Sequence, residues 1–307
     1  MKSKEIKFSS FFDFSFQTQL NFASRSINWG YKKVFIKEKV KYFNALASFV
    51  DNHTIKLVKK SGKERTVTAD KIVIATGGRP TYLNVEGCRE HCITSDDLFW
   101  RKQAPGKTLV IGAGYIALEC GGFIKGMGHE VAIMVRSVPL RTFDQDMVER
   151  IVEKMNDMGC RFLNKCSPDG FYKQENGKIL AKWTRKLEDG GTEQLEEEFD
   201  TVLLAVGRTP DLSKLNLEAV GVDLSPKGRV IVDKHMKTSA DNIFALGDII
   251  VDSPELTPVA NREGKYLSEW LFDGKDQTVN YDLIATTIFT PLEYACIGPS
   301  EKRAIEM

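Results

Sequence analysis

Thr108-Leu-Val-Ile-Gly112-Ala-Gly114-Tyr-Ile-Ala117-Leu-Glu119 is the stretch of this 307-residue chain that decides its fold. An apolar run before the glycines predicts a short buried strand, and the apolar spacing over Tyr115–Gly126 predicts a helix. Gly112 permits a tight turn, Gly114 leaves room for a pyrophosphate, and Ala117 allows the helix to pack closely on the strand. Because the unpaired N–H groups of a helix N-terminus favour phosphate, this strand–turn–helix unit predicts a dinucleotide-binding site.

The residues that follow continue the alternation of strands and helices. We expect a strand at His129–Val135, a helix at Asp144–Met158 and a strand at Cys160–Asn164. Such an alternation predicts an α/β fold with a parallel, doubly wound sheet and right-handed crossovers.

Two segments on either side of this region repeat each other. Lys71–Pro80 and Thr201–Pro210 both read as an apolar strand that stops at Ala-x-Gly-x-x-Pro, and we expect the proline to end strand pairing. Antiparallel segments at 45–67 and 177–199 precede the two copies. We therefore predict two Rossmann-like units, each a three-layer arrangement of a parallel sheet with an antiparallel β excursion. The unit with the fingerprint would be inserted into the other, whose own glycine fingerprint is not found in this sequence.

The end of the second strand of the fingerprint unit indicates which dinucleotide is bound. A carboxylate that would bind an NAD ribose is missing before Asp144. Arg136, Ser137 and Arg141 occupy that stretch instead, and paired arginines suit a 2′-phosphate. NADP is the preferred cofactor, and two solvated surface charges are the alternative.

A second ligand is predicted near the end of the chain. Ile243–Asp248 reads as a buried strand that ends in a carboxylate able to bind a polyol or ribose. Thr257 is expected to cap the next helix, with Pro258 in its first turn. The N-terminus of that helix would offer partial positive charge to an electron-rich ring. Arg229–Val232 and Thr286–Tyr294 are also expected to be strands.

Composition excludes several classes of protein. Lys and Arg number 43 against 42 for Asp and Glu, so no overall field favours nucleic acid or a membrane surface. No apolar run approaches the roughly 20 residues that span a bilayer. The six scattered cysteines predict reduced thiols of a cytoplasmic protein, with the mitochondrion as an alternative location. Cys88 and Cys92 lie beside His91, and we interpret them as a thiol pair rather than a metal site.

The chain resembles the FAD- and NADPH-dependent pyridine nucleotide–disulfide oxidoreductases. Six segments carry the resemblance: Lys71–Pro80, Gly112–Glu119, Arg136–Arg141, Thr201–Pro210, Ile243–Asp248 and Glu255–Ala260. Within that family, Asn28–Tyr31, Ser95–Leu98 and Phe143–Met147 are most similar to the large animal-type thioredoxin reductases and the related thioredoxin–glutathione reductases. Glutathione reductase is the alternative, since Gly112–Ala117 also resembles that branch.

The resemblance implies a role for each matching residue. NADP would be held by Gly112, Ala113, Gly114, Tyr115, Ile116, Glu119, Arg136, Ser137, Arg141, Ala205, Val206 and Gly207. FAD would be held by Thr76, Gly77, Asp248, Glu255, Leu256 and Thr257. Tyr115 would be a gate over the flavin, and Glu119 would support a lysine that is missing here. The enzyme would move hydride from NADPH to FAD and then electrons to thioredoxin or glutathione disulfide, sustaining cell redox homeostasis.

The sequence also departs from the family pattern. An N-terminal FAD fingerprint, a C-x4-C redox disulfide and the interface domain that forms a homodimer are not found in it. We therefore expect a chain truncated at both ends, inactive alone, that holds FAD weakly; a non-catalytic NADP-binding protein is the alternative. The expected organisation is an atypical N-terminal segment 1–16, FAD-domain segments 17–99 and 212–283, an NADPH domain 100–211, and the start of the interface domain at 284–307.

Overall fold

A computed structural model describes residues 24–307, so the predictions for the first 23 residues lie outside the described residues. The helices are α1 (24–37), α2 (Cys88–His91), α3 (Ser95–Leu98), α4 (Tyr115–Gly126), α5 (Gln145–Asp157), α6 (Thr257–Asp273) and α7 (Glu301–Glu306). The strands before the fingerprint turn are β1 (Leu46–Phe49), β2 (Thr54–Val58), β3 (Glu64–Thr68), β4 (Ile72–Ile74), β5 (Gly78–Pro80), β6 (Ile93–Thr94) and β7 (Thr108–Ile111). The later strands are β8 (Val131–Val135), β9 (Cys160–Asn164), β10 (Cys166–Lys173), β11 (Ile179–Lys186), β12 (Thr192–Phe199), β13 (Thr201–Leu204), β14 (Arg208–Pro210), β15 (Ile243–Ala245), β16 (Thr286–Ile288) and β17 (Tyr294–Cys296).

The predicted parallel sheet is confirmed. Its five strands follow the order β6–β13–β7–β8–β9, and every neighbouring pair is parallel. Side chains alternate between two cores, as the pleat of a strand requires. Val110 and Ile133 pack beneath the helices, whereas Leu109 and Ala132 pack against Phe171 of the antiparallel sheet β10–β11–β12. The region from β6 to β13, called here the fingerprint unit, therefore has three layers.

Burial explains why α4 lies where the pattern predicted. Ala117, Leu118 and Ile124 are fully buried on one face of this helix. Each large apolar side chain buried in this way contributes about 1.5–3 kcal/mol. Gly121 allows the helix to approach the sheet, because a Cβ there would lie 3.1 Å from Cδ1 of Ile133.

A second unit flanks the first and has its own core. Strands β4 and β15 are parallel neighbours, and β1, β2 and β3 form an antiparallel sheet beside them. Ile74, Ile243 and Phe244 are buried together in this core with residues of α6 and of the 3-10 turn 217–220. We call β1–β4, β15 and α6 the flanking unit.

The two copies of the repeat pair with each other, which the sequence did not predict, and both paired strands end at their prolines, as expected. Gly78–Pro80 forms a short antiparallel ladder with Arg208–Pro210. Nη2 of Arg208 also donates to the carbonyl of Gly78 at 2.7 Å. Arg79 and Arg208 both bind the carboxylate of Asp96, at 3.3 and 3.4 Å. The repeat therefore joins the two units.

Three further expectations are corrected. Arg229–Val232 is not a strand, because Val230 makes only isolated bridges to Leu224 and Ile250. The segment Thr286–Tyr294 is not one strand but the first part of a hairpin, in which β16 pairs with β17 around Pro291. Thr257 is the first helical residue of α6 rather than its cap.

The hairpin β16–β17 docks on α4 at a glycine. A Cβ on Gly122 would lie 2.6 Å from Cδ of Pro291, and Ile288 is buried in the core beneath α4. Gly122→Ala is expected to lower the free energy of unfolding by about 1–3 kcal/mol, because the proline ring must move. Gly126→Ala, four residues further along the same helix with nothing within 4 Å, is expected to raise it by about 0.5–1 kcal/mol.

Urea unfolding of the two variants beside the parent protein measures both changes. Equal stabilisation by the two alanines would show that the hairpin does not rest on Gly122.

Candidate functional site

A cavity of about 430 Å³ lies over the carboxyl ends of β7, β8 and β13. It brings together seven of the residues predicted from sequence: Gly112, Ala113, Gly114, Arg136, Ser137, Arg141 and Val206. The strand ends meet here because parallel strands place their carboxyl ends at one edge of a sheet, where ligands of open α/β sheets bind.

The two glycines of the turn have different surroundings. Gly112 has φ +119°, and a Cβ on it would lie 2.3 Å from the carbonyl oxygen of Ala205 at the end of β13. Gly114 has nothing within 4 Å of a Cβ position and precedes α4 without a side-chain cap. The fingerprint thus packs tightly on the sheet at its first glycine and is open to the cavity at its second, where the first N–H groups of α4 can meet a phosphate.

The arginine pair lies on the loop after β8. Arg136 and Arg141 are exposed and line the same cavity as the glycines. Neither forms an ion pair with another residue in the described range 24–307. The amide of Leu140 donates to the carbonyl of Ala113 at 2.9 Å, which fixes this loop beside the fingerprint. Two guanidinium groups without an ion-pair partner in this range, next to a helix N-terminus, are chemically suited to an anion.

The far wall of the cavity was missed by sequence reasoning. It consists of Leu83, Asn84, Val85, Cys166, Ser167 and Pro168. The first three come from the loop before α2 and the last three from β10. Gly87 brings the two segments together, because a Cβ there would lie 1.8 Å from the carbonyl oxygen of Phe171. No local pattern marks these residues.

Tyr115 and Glu119 lie outside the cavity lining. Tyr115 begins α4; burial raises the pKa of its hydroxyl, and the charges of Glu255 and Asp248 raise it further. Asp248 and Glu255 belong to the segment between β15 and α6, so the charges that act on Tyr115 come from outside the fingerprint unit. Glu119 accepts a hydrogen bond at 2.8 Å from the amide of Phe289.

Ile116, Ala205 and Gly207 are also not among the described residues that line the cavity. Ile116 packs into the core, and Gly207 accepts a hydrogen bond from the amide of Thr81. Ala205 donates its amide to Ile111 at 2.8 Å. These three residues therefore contribute to packing and backbone hydrogen bonds near the cavity.

The residues predicted to bind a flavin gather at another strand edge. Thr76 and Gly77 follow β4, and Gly247 and Asp248 follow β15, its parallel neighbour. Gly247 has φ +75°, and a Cβ on it would lie 3.3 Å from Cβ of Ala260. The turn therefore lies directly against α6.

Charges surround Asp248. Burial raises the pKa of its carboxyl group, and Glu255 adds to the increase, whereas Arg208 and Arg229 oppose it. Glu255 forms an ion pair with Arg229, which also donates to the carbonyl of Asp248 at 2.5 Å. Leu256 precedes α6 and Thr257 begins it, so the helix N-terminus lies beside this group.

The cysteines near α2 are buried. Cys88 and Cys92 interact through their side chains, and burial raises the pKa of both thiols. Raised pKa values disfavour the reactive thiolate. Within residues 24–307, no group of three or more His, Cys, Asp or Glu side chains is arranged to hold a metal ion. No helix in the same range has both the length and the apolar character to cross a membrane.

The fold and the two strand-edge sites define a class of protein. The chain belongs to the pyridine nucleotide-disulphide oxidoreductase family, whose model matches residues 4–264. It is 44% identical over 286 residues to mitochondrial thioredoxin reductase 2 of Drosophila melanogaster. That alignment covers 92% of this chain, and the chain spans about half, 54%, of the relative's length.

A solved structure has the same fold. The copper(II) complex of a cysteine-to-serine mutant of the HOCl-induced flavoprotein disulfide reductase RclA from Escherichia coli superimposes with a TM-score of 0.83. The superposition covers 94% of this chain and 64% of that one, at 21% sequence identity. The predicted α/β fold with Rossmann-like units is thereby confirmed.

Proposed function

We propose that the protein acts as an NADPH-dependent flavoprotein disulfide reductase and that the 430 Å³ cavity holds the adenosine half of NADPH. The proposal rests on one observation: Gly112–Gly114, Arg136 and Arg141 line the same cavity. The helix N-terminus would bind the pyrophosphate, and the arginines would bind the 2′-phosphate.

The flavin half of the proposal rests on the edge formed by β4 and β15. Thr76, Gly77 and Asp248 would contact FAD there, and Leu256–Thr257 would place a helix N-terminus beside its ring. When bound, FAD can accept a hydride from a nicotinamide and pass electrons on to a disulfide. Tyr115, between the two sites, would cover the ring until nicotinamide enters.

Thioredoxin disulfide is the substrate we propose for the whole protein, because the Drosophila relative bears that name. We further propose a homodimer in the cytosol or mitochondrion. NADP binding without disulfide turnover is the second candidate, since the six cysteines of this sequence include no C-x4-C pair.

Anaerobic mixing of the protein with FAD and NADPH tests the proposal. Bleaching of the flavin absorbance is expected with NADPH and much more slowly with NADH. Thiol release from added oxidised thioredoxin then tests disulfide reduction. Bleaching without thiol release favours the second candidate, and equal binding of NADPH and NADH contradicts both.

Flavin binding is expected to depend on the ionisation of Asp248. Burial raises the pKa of this carboxyl group above its ordinary value of 3.8. Because only the carboxylate is a full acceptor for ribityl hydroxyls, affinity is present above that raised pKa and is lost as pH falls through it. Fluorescence titration of FAD between neutral and acid pH measures the loss. Asp248→Asn, which cannot ionise, is expected to abolish the acid limb, and an unchanged acid limb would assign it to another group.

A further inference from the structure

A fully buried carboxylate lies behind the flavin edge. Glu263 of α6 is 0% exposed. Its Oε2 accepts the amide of Gly247 at 2.6 Å, and its Oε1 accepts the hydroxyls of Ser253 and Tyr281 at 2.7 and 2.6 Å. No Lys, Arg or His within residues 24–307 forms an ion pair with it.

Burying this carboxylate on the apolar face of α6 costs folding free energy. Val259, Glu263 and Leu267 form one buried row on α6, spaced four residues apart, and only the middle member is polar. A buried charge without a counter-ion costs several kcal/mol, which three hydrogen-bond donors offset in part. A leucine in place of Glu263 would make this row apolar throughout and would avoid that cost.

The amide of Gly247 explains why a carboxylate is needed. This residue is buried at φ +75° and begins the 3-10 turn 247–249 shortly after β15. A buried amide without an acceptor costs about 1–3 kcal/mol. Glu263 supplies the acceptor from α6, so the turn that carries Asp248 is fixed to that helix.

Two other segments fix Glu263 in turn. Burial and the hydrogen bond to Glu263 raise the pKa of the Tyr281 hydroxyl, which therefore remains a donor. Ser253 follows the flavin-edge turn, and Tyr281 precedes β16. Oε1 is thus held from both sides while Oε2 faces Gly247.

We propose that Glu263 is a positioning residue for the flavin polyol: it holds the Gly247 amide and so directs the carboxylate of Asp248 toward the ligand. This inference rests on the proposed function, because it assumes that Asp248 contacts FAD. Glu263 itself touches no cofactor; it acts through the turn.

Three variants test the role of Glu263. Glu263→Ala removes the acceptor. Glu263→Gln keeps it, since the amide oxygen can face Gly247 while its NH2 group donates to Ser253 and Tyr281. Asn261→Ala changes an exposed residue of the same helix as a matched control.

Hydrogen exchange of the Gly247 amide, which needs no flavin, is the first readout. We expect exchange at least about tenfold faster in Glu263→Ala and near the parent rate in the other two variants. An unchanged rate in Glu263→Ala overturns the proposal. If that variant does not fold, Tyr281→Phe combined with Ser253→Ala frees the carboxylate and is expected to speed the same exchange.

FAD affinity is the second readout. Glu263→Ala is expected to bind FAD about tenfold more weakly, and Glu263→Gln to bind it within about threefold of the parent protein. Equal affinity of all variants, with Gly247 exchange altered, overturns the link to Asp248. If the parent protein binds no FAD, the flavin half of the proposed function fails, whereas the exchange rates still decide whether Glu263 holds the turn.

The pH profile of FAD binding tests whether the charge of Glu263 acts on Asp248. Glu255, Arg208, Arg229 and Glu263 face Asp248, and the negative charge of Glu263 contributes to its raised pKa. Lys234 and His235 line a small cleft together with Glu263. Glu263→Gln is expected to move the acid limb of FAD binding to lower pH. An acid limb at the parent position in this variant contradicts the coupling.

Discussion

Replacing Arg136 and Arg141 together with alanine is expected to weaken NADPH binding about 100-fold and to leave NADH binding unchanged. Both guanidinium groups line the cavity beside Gly112 and Gly114, and neither is neutralised by another residue within 24–307. A hydrogen bond to a charged group contributes about 1.5–3 kcal/mol, so the loss of two accounts for at least this factor. NADH has no 2′-phosphate, so its affinity is not expected to depend on the two arginines.

Fluorescence titration of both nucleotides measures the effect. Arg150→Ala on α5 is the matched control, since it removes an exposed arginine of the same unit that does not line the cavity. We expect this control to retain the preference for NADPH. A double variant that still prefers NADPH would show that the 2′-phosphate is bound elsewhere.

The second large effect is expected at the first glycine of the fingerprint. Gly112→Ala forces a side chain into φ +119° and places its Cβ 2.3 Å from the carbonyl oxygen of Ala205. Backbone strain of this kind costs about 1–3 kcal/mol, and the clash with main-chain atoms adds to it. We expect the free energy of unfolding to fall by about 3 kcal/mol or more, as measured by urea denaturation.

Gly114→Ala separates folding from binding. Gly114 has φ −79° and nothing within 4 Å of a Cβ position, so stability is expected to change by less than about 0.5 kcal/mol. The added methyl group projects into the space where a pyrophosphate would approach the helix, and nucleotide affinity is expected to fall about tenfold or more. Similar destabilisation by both alanines would contradict the different surroundings of the two glycines.

The elements that sequence predicted well are those whose apolar residues are spaced regularly along the chain. Helix α4 occupies Tyr115–Gly126 as expected, and β9 occupies Cys160–Asn164. Local apolar spacing was sufficient in both cases because one face of each element enters a core. Arg229–Val232 has an apolar pattern too, but Val230 finds single bridges instead of a neighbouring strand. A strand requires a partner, and local sequence does not provide one.

The candidate site divides in the same way. The glycines and arginines were found because they lie next to strands that the pattern identified, and their roles remain predictions. The role of Glu263 was not predicted, because in the sequence it looks like any exposed glutamate of a helix. Its partners are distant in the sequence. Gly247 is 16 residues away from it, and Tyr281 is 18.

The sequence by itself determined the α/β class, the parallel fingerprint unit and the residue types that suit a phosphorylated dinucleotide. Spacing of apolar residues and glycines is sufficient for these, because strand, turn and helix form within about 20 consecutive residues. Only the tertiary structure decided the far wall of the cavity, the pairing of β5 with β14, the partner of Glu119 and the burial of Glu263. Each depends on segments that meet only when the sheets pack, since the free energy of such contacts comes from burial and hydrogen bonding between distant residues.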